Sequence, residues 1–244
     1  MKKLLMSLSA VGVIALSVWS LSGTVPASQA ASAVNFIATD EPGPWFQCVG
    51  ATGCVPAGTQ SLAVIQPGDT VRITNGAQTN SVHTFTSLLF PTGARGMPFD
   101  QDAAFRGTKS VKLKDPGLYV FVCKLHPFML AATIVDDPRT AGLDLGENIS
   151  LINGITVPTS SDLATRLLRA FFLITNPANY QDRNPATNPS LTWHIAYPSG
   201  VPVRITGGAV VDLKDTLEGK LAMVTTSPWM GHPGPPTRAS ARSG

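Results

Sequence analysis

The segment Cys123-Lys124-Leu125-His126-Pro127-Phe128-Met129 places a thiol, an imidazole and a thioether within seven residues. These are soft and borderline donors, and their combination suits copper cycling between its two oxidation states. A trigonal site needs a second imidazole. His83 supplies it, 123 − 83 = 40 residues upstream within Asn80-Ser81-Val82-His83-Thr84-Phe85. Each of His83, His126 and Met129 taken alone is more often structural, and zinc is the main competitor for the set. A structural zinc site prefers nitrogen, thiolate or carboxylate ligands, however, and a thioether suits it poorly. His194 and His232 belong to no ligand-like cluster, and Trp193-His194 reads as part of a strand surface. Of the three cysteines, Cys48 and Cys54 lie six positions apart in a Gly-rich stretch that can close on itself. A disulfide is expected between them, with a Cα separation of about 4.4–6.8 Å. Cys123 is then the unpaired one.

Strands must bring these residues together. From Val34 to Val135 short β-type runs alternate with turn residues, the pattern of a sandwich or barrel. The spacing predicts strands at Val34–Ala38, Ser61–Ile65, Thr70–Thr74, His83–Ser87, Ser110–Leu113, Leu118–Val122 and Ala132–Val135. Gln66-Pro67-Gly68-Asp69 and Lys114-Asp115-Pro116-Gly117 read as tight reversals. In Leu118–Val122 aromatics alternate with branched aliphatics, so both faces of that strand are expected to be buried. Asp136-Asp137-Pro138 ends the last strand and the first domain, over residues 34–138.

Residues 139–226 are expected to form a smaller β-rich or α+β region. Ser160 or Ser161 caps a helix in which Leu163, Leu167 and Phe171 recur at helical spacing, ending before Asn176-Pro177. Leu191–Ala196 and Val201–Ile205 read as a hairpin, with Ala209–Leu213 as a third strand. Residues 227–244 read as a disordered tail or as the broken end of a longer protein. There is no internal repeat.

On His83, the lone Cys123, the short Cys-x-x-His-x-x-Met loop and its His-Pro-Phe-Met stretch, residues 34–135 resemble the cupredoxin family, and the loop is most like that of the amicyanins. Gly117, Tyr119 and Phe121 before the cysteine also fit the pattern. The resemblance implies an all-β, Greek-key β-sandwich. It further implies one type 1 (blue) copper with His83, Cys123 and His126 as equatorial ligands and Met129 as the long axial ligand. Thr84 departs from the family, which commonly has an asparagine there, tying the two ligand loops together. A threonine hydroxyl can do part of that work.

Composition bounds the rest. Charged residues are 14% of the 244, against a usual share of about a quarter. Lys and Arg exceed Asp and Glu by 18 − 15 = 3, and Lys2 and Lys3 account for two of these charges. With no basic run to cover phosphates, a nucleic-acid binder is not expected. Lys2 and Lys3 followed by the apolar stretch Leu4–Leu21 and small residues near Ala31 read as an export signal over residues 1–33. An uncleaved anchor is the alternative, and otherwise no membrane association is expected. No cysteine near the cleavage region indicates lipidation. The chain is therefore expected in the periplasm or otherwise exported, as a carrier of single electrons between redox partner proteins rather than an enzyme. A multicopper oxidase or copper nitrite reductase needs more than the four histidines present and has His-x-His pairs, which are lacking here. A binuclear copper centre needs two cysteines in the ligand loop. The alternatives are a copper-binding domain of a larger copper oxidoreductase and a copper-delivery or storage protein. His126 is the expected electron port, rimmed by Pro127 and Phe128. The sequence names neither partner nor oligomeric state.

Overall fold

The computed structural model describes residues 32–40, 44–50, 53–55, 61–76, 81–94, 100–151, 153–176, 179, 195 and 197–220. In strand β1 (Ala33–Thr39) Val34, Phe36 and Ala38 are buried. In β4 (Thr70–Asn75) Val71 and Ile73 point inward while Arg72 is exposed. This period of two makes a half-buried sheet. With β2 (Trp45–Val49) and β7 (Gly107–Lys112) it runs in the order β2-β1-β4-β7. β1 and β4 are parallel with Phe36 opposite Ile73, and the outer pairs are antiparallel.

The second sheet holds β3 (Leu62–Ile65), β5 (His83–Pro91), β8 (Gly117–Val122), β9 (Leu130–Val135), β11 (Asn148–Leu151) and β12 (Thr156–Pro158), in the order β12-β11-β5-β8-β9-β3. Strand β6 (Asp100–Phe105) also pairs with β5. Between the sheets Phe36, Phe46, Ile73, Phe85, Tyr119 and Phe121 are sealed from solvent. The all-β sandwich read from the sequence for residues 34–138 is observed as two sheets packed on a shared core.

β8 and β9 are buried at every position, as the apolar run of β8 predicts. Their outward residues, such as Leu118, Val120 and Ile134, pack against the segment that follows. Helix α1 (Asp162–Ile174) and the short α2 (Leu213–Glu218) lie there. So does a small sheet of β10 (Leu143–Asp144), β13 (Pro202–Arg204) and β14 (Val210–Asp212). Burying each Leu or Phe of this layer contributes about 1.5–3 kcal/mol. Residues beyond the first domain's expected end thus extend its sheet through β11 and cover its outer face.

Ser161 caps α1 by accepting from the Ala164 N–H, and Asp162 stands in its first turn. The buried stripe is Ala164, Leu168, Phe171 and Phe172, whereas Leu163 is 45% exposed. The expected face through Leu163 and Leu167 is therefore corrected by about one residue, because Phe171 and Phe172 are both buried and draw the stripe between them. The third expected strand stops at Asp212. The Asp212 carboxylate accepts from the N–H groups of Lys214 and Asp215, so Leu213 begins α2, which ends at left-handed Gly219 (φ 79°). Val203 pairs with Val211. Its expected partner Leu191–Ala196, of which only Ile195 is described, lies outside the described residues, as do His194, His232, residues 1–31 and the tail over 227–244. Ser32 and Ala33 belong to the fold: Asp69 accepts from the Ser32 amide at 2.6 Å, and Ala33 stands opposite Thr70. Among the described residues no helix is long and apolar enough to cross a membrane.

Cys48 and Cys54 form the expected disulfide with a Cα separation of 5.7 Å. Cys48 lies on a strand and not in a loop, facing Phe36 of β1. Cys54 bridges to Ala63 of β3, so the crosslink ties one sheet to the other.

Candidate metal centre

β8 delivers Cys123 as the first residue past its end, and Met129 immediately precedes β9, with Val122 and Leu130 paired between them. The connecting loop is closed by its own backbone. The Cys123 N–H donates to the Met129 carbonyl (3.0 Å), the His126 N–H to Cys123 (3.1 Å) and the Met129 N–H to His126 (2.8 Å). β5 runs antiparallel to β8, so its first residue, His83, comes to the same end of the sheet. The pairing of β5 with β6 slips between His83 and Phe85, and such irregularities re-aim side chains beside functional sites.

The cysteine sulfur lies 3.8 Å from His83 Nδ1 and 3.7 Å from His126 Nδ1. All three donor atoms fall within 4.8 Å of one another. A metal about 2.3 Å from sulfur and about 2.0 Å from nitrogen in a trigonal arrangement separates the two donors by about 3.7 Å, so the spacing fits a bound ion. His83, Cys123 and Met129 are wholly buried, while His126 is part-exposed. Burial is the largest cause holding His83 below the usual histidine range; His126 and Arg106 act in the same sense and Asp40 opposes them. Burial thus favours the neutral imidazole, the form that binds metals.

Thr84 joins the two ligand segments. Its hydroxyl accepts from the Lys124 N–H at 2.7 Å and faces the Cys123 sulfur at 3.9 Å, while its own N–H donates to that sulfur at 3.4 Å. Thr84 thus fastens the Cys123–Met129 loop to the start of β5. Tyr119 and Phe121 point into the core, and the Tyr119 hydroxyl donates to the Asp115 carbonyl at 2.9 Å. Gly117 has φ 138°, and a Cβ there would meet the Pro91 side chain at 2.6 Å, so the position tolerates no side chain.

Two residues near the site went unnoticed in the sequence. Asp40, just past β1, places Oδ1 3.6 Å from His83 Nε2. The rings of Phe46 of β2 and His83 meet at a steep angle, with centroids 6.5 Å apart. In the loop that carries His126, Leu125 and Phe128 are 51% and 40% exposed and Lys124 is exposed between the ligand candidates, while Val82, next to His83, is 44% exposed. The rings of Phe128 and His126 are 6.1 Å apart.

No family model matches the chain, and neither does any curated protein. Among solved structures it is similar to a reduced Cu(I) form of an amicyanin variant (19% identity, 46% of this chain and 87% of that one, TM-score 0.30). It is also similar to a pseudoazurin from Methylobacterium extorquens AM1 (21% identity, 43% and 76%, TM-score 0.31). A third is a copper-containing nitrite reductase from Thermus scotoductus SA-01 (19% identity, 53% of this chain and 25% of that one, TM-score 0.29).

Proposed function

We propose that this chain is an exported mononuclear type 1 copper protein of the cupredoxin family, with an amicyanin-like ligand loop, that carries single electrons between redox partner proteins. The observation that carries the reading is the convergence of His83 Nδ1, the Cys123 sulfur and His126 Nδ1 at one end of the second sheet. Met129 is buried in the same core as Cys123, and with its thioether the donor set would be two imidazoles, a thiolate and a thioether, which suits copper better than zinc. Copper held there would supply a one-electron couple.

The protein's own contribution is the hydrogen bonding that holds the donor-bearing segments together. Three backbone hydrogen bonds fix the Cys123–Met129 loop, and Thr84 fastens that loop to His83's strand. Rigid donors keep one geometry through both oxidation states. His126 is the ligand nearest solvent, and the exposed Leu125 and Phe128 of its loop suit a weakly charged contact with a partner. Such a contact depends little on salt. Residues 34–138 hold the site, and the following segment backs β8 and β9 from outside. Export rests on Lys2, Lys3 and the apolar stretch Leu4–Leu21.

The test is to add Cu(II) to the purified chain. One copper per chain and an intense visible band from the Cys123 thiolate are expected, and Cys123→Ser should abolish the band. A chain that takes up no copper, or full colour in the serine variant, overturns the proposal.

A further inference from the structure

His83 presents its two ring nitrogens to different partners. Nδ1 faces the Cys123 sulfur at 3.8 Å, and Nε2 faces Asp40 Oδ1 at 3.6 Å. The other oxygen of Asp40 is held from a different direction. Oδ2 accepts from the Ser81 N–H at 3.2 Å and from the Ser81 hydroxyl at 3.1 Å. The carboxylate thus bridges the end of β1 to the segment just before β5, with one oxygen turned toward a histidine that has no exposed surface. A neutral imidazole carries its proton on one nitrogen only, and the nitrogen facing an acceptor keeps it.

We propose that Asp40 is a positioning residue of the metal centre: the charge of its carboxylate, 3.6 Å from Nε2, keeps the proton of His83 on that nitrogen, so that the Nδ1 lone pair points toward Cys123 and a bound metal. The proposal rests on the copper reading above only for the identity of the metal. It assigns to Asp40 the role that carboxylates behind metal-bound histidines play elsewhere, fixing tautomer and ring orientation and raising ligand basicity.

The decisive variant is Asp40→Asn, which keeps shape and removes one acceptor. Both groups of Ser81 donate to Oδ2, so the asparagine oxygen stays on Ser81 and its amino group turns toward His83 Nε2. A donor then faces a donor, and the imidazole must move its proton to Nδ1, the nitrogen that should bind the metal. In Asp40→Ala neither tautomer is favoured. The experiment is ¹⁵N NMR of the His83 ring in metal-free full-length protein, followed by Cu(II) titration. The wild type should show the Nε2–H tautomer, Asp40→Asn the Nδ1–H tautomer, and Asp40→Ala a mixture. Copper affinity should fall about 10–100-fold in Asp40→Asn, and less in Asp40→Ala. Identical ring spectra in all three proteins, or Cu(II) affinities within about twofold, would overturn the assignment. If the wild type takes up no copper, the copper reading fails while the ring spectra still decide the role of Asp40.

Discussion

Replacing Thr84 by Val tests how the two ligand segments are joined. Thr84 is 1% exposed, and Val has nearly the same shape, so the packing is kept and only the hydroxyl is lost. Two contacts go with it: the 2.7 Å bond accepted from the Lys124 N–H, and the 3.9 Å approach to the Cys123 sulfur. The second is long and contributes little. Losing the first deprives a loop amide of its acceptor, which costs about 1–3 kcal/mol when the donor stays out of water. Because Lys124 is exposed and the bond only part-buried, the lower half of that range, about 1–2 kcal/mol, is the expected loss in urea unfolding of the metal-free protein. For a chain of this size it corresponds to about 2–4 °C in melting temperature per kcal/mol. The effect has a local signature as well, since the Lys124 amide should exchange with solvent about tenfold faster while amides in the middle of β8 do not. The Thr84 N–H bond to sulfur remains, so a copper-loaded variant should keep its colour. Thr84→Ser retains the hydroxyl and should leave the Lys124 amide protected. A valine variant as stable as wild type, with an unchanged Lys124 exchange rate, would refute the idea that this hydroxyl fastens the loop.

Phe172 is 2% exposed, edge-on to Phe171 and Tyr197 at 5.3 and 5.8 Å. Phe172→Ala should therefore cost about 3–5 kcal/mol and lower a single transition seen alike by circular dichroism and by Cys123 thiol reactivity; two separate transitions would show that the outer layer does not support the site strands. Asp69 is buried, and desolvation alone would raise its pKa, yet hydrogen bonds from the Gln66 amide and from Ser32, with Lys112 nearby, outweigh it and hold the carboxyl below its ordinary value. A depressed carboxyl contributes stability above its unfolded value near 3.9 and loses it as pH falls through the folded one, so the stability gap between wild type and Asp69→Asn should be full above about pH 5 and shrink toward pH 3. A gap independent of pH would rule out the charge as its source.

The candidate cluster of His83, Cys123 and His126 was legible because two of its members sit in one short stretch at a strand end and the third opens a strand. Local spacing and residue chemistry suffice for that. Thr84 was legible as a departure from a pattern, and its role follows from a short hydroxyl reaching Lys124 across the pair of strands. Asp40 was not legible, because nothing in Thr39-Asp40 distinguishes it from a surface carboxylate; it meets Ser81 across 41 residues only when β1 and the entry to β5 are brought together. β2 was hidden inside what read as a cysteine loop, since a run of five residues flanked by Pro and Gly has strand character only beside β1. β11 has no pattern of its own. Asn148–Leu151 becomes a strand by pairing with the nearby Thr156–Pro158 and with the distant Leu89–Pro91, and the second partner leaves no local trace. The buried face of α1 was missed by a residue because helical spacing alone admits neighbouring stripes, and the outer surface of β8 chooses between them.

Strand β5, which begins with His83, is lined along one side by β8 and along the other by two strands in succession: β6 beside His83–Thr86 and β11 beside Leu89–Pro91. Synthesis supplies these neighbours at different times. β6 and β8 follow soon after β5, but its far half keeps an open ladder of amides and carbonyls until residue 151 has been made. Closing such a long-range pairing is slow compared with forming a local hairpin, and an unpaired edge is a template for misassembly with another chain. The last part of the chain to join the second sheet therefore acts in time as well as in space: until it arrives, the strand that begins with His83 is the most vulnerable edge of a half-made sandwich.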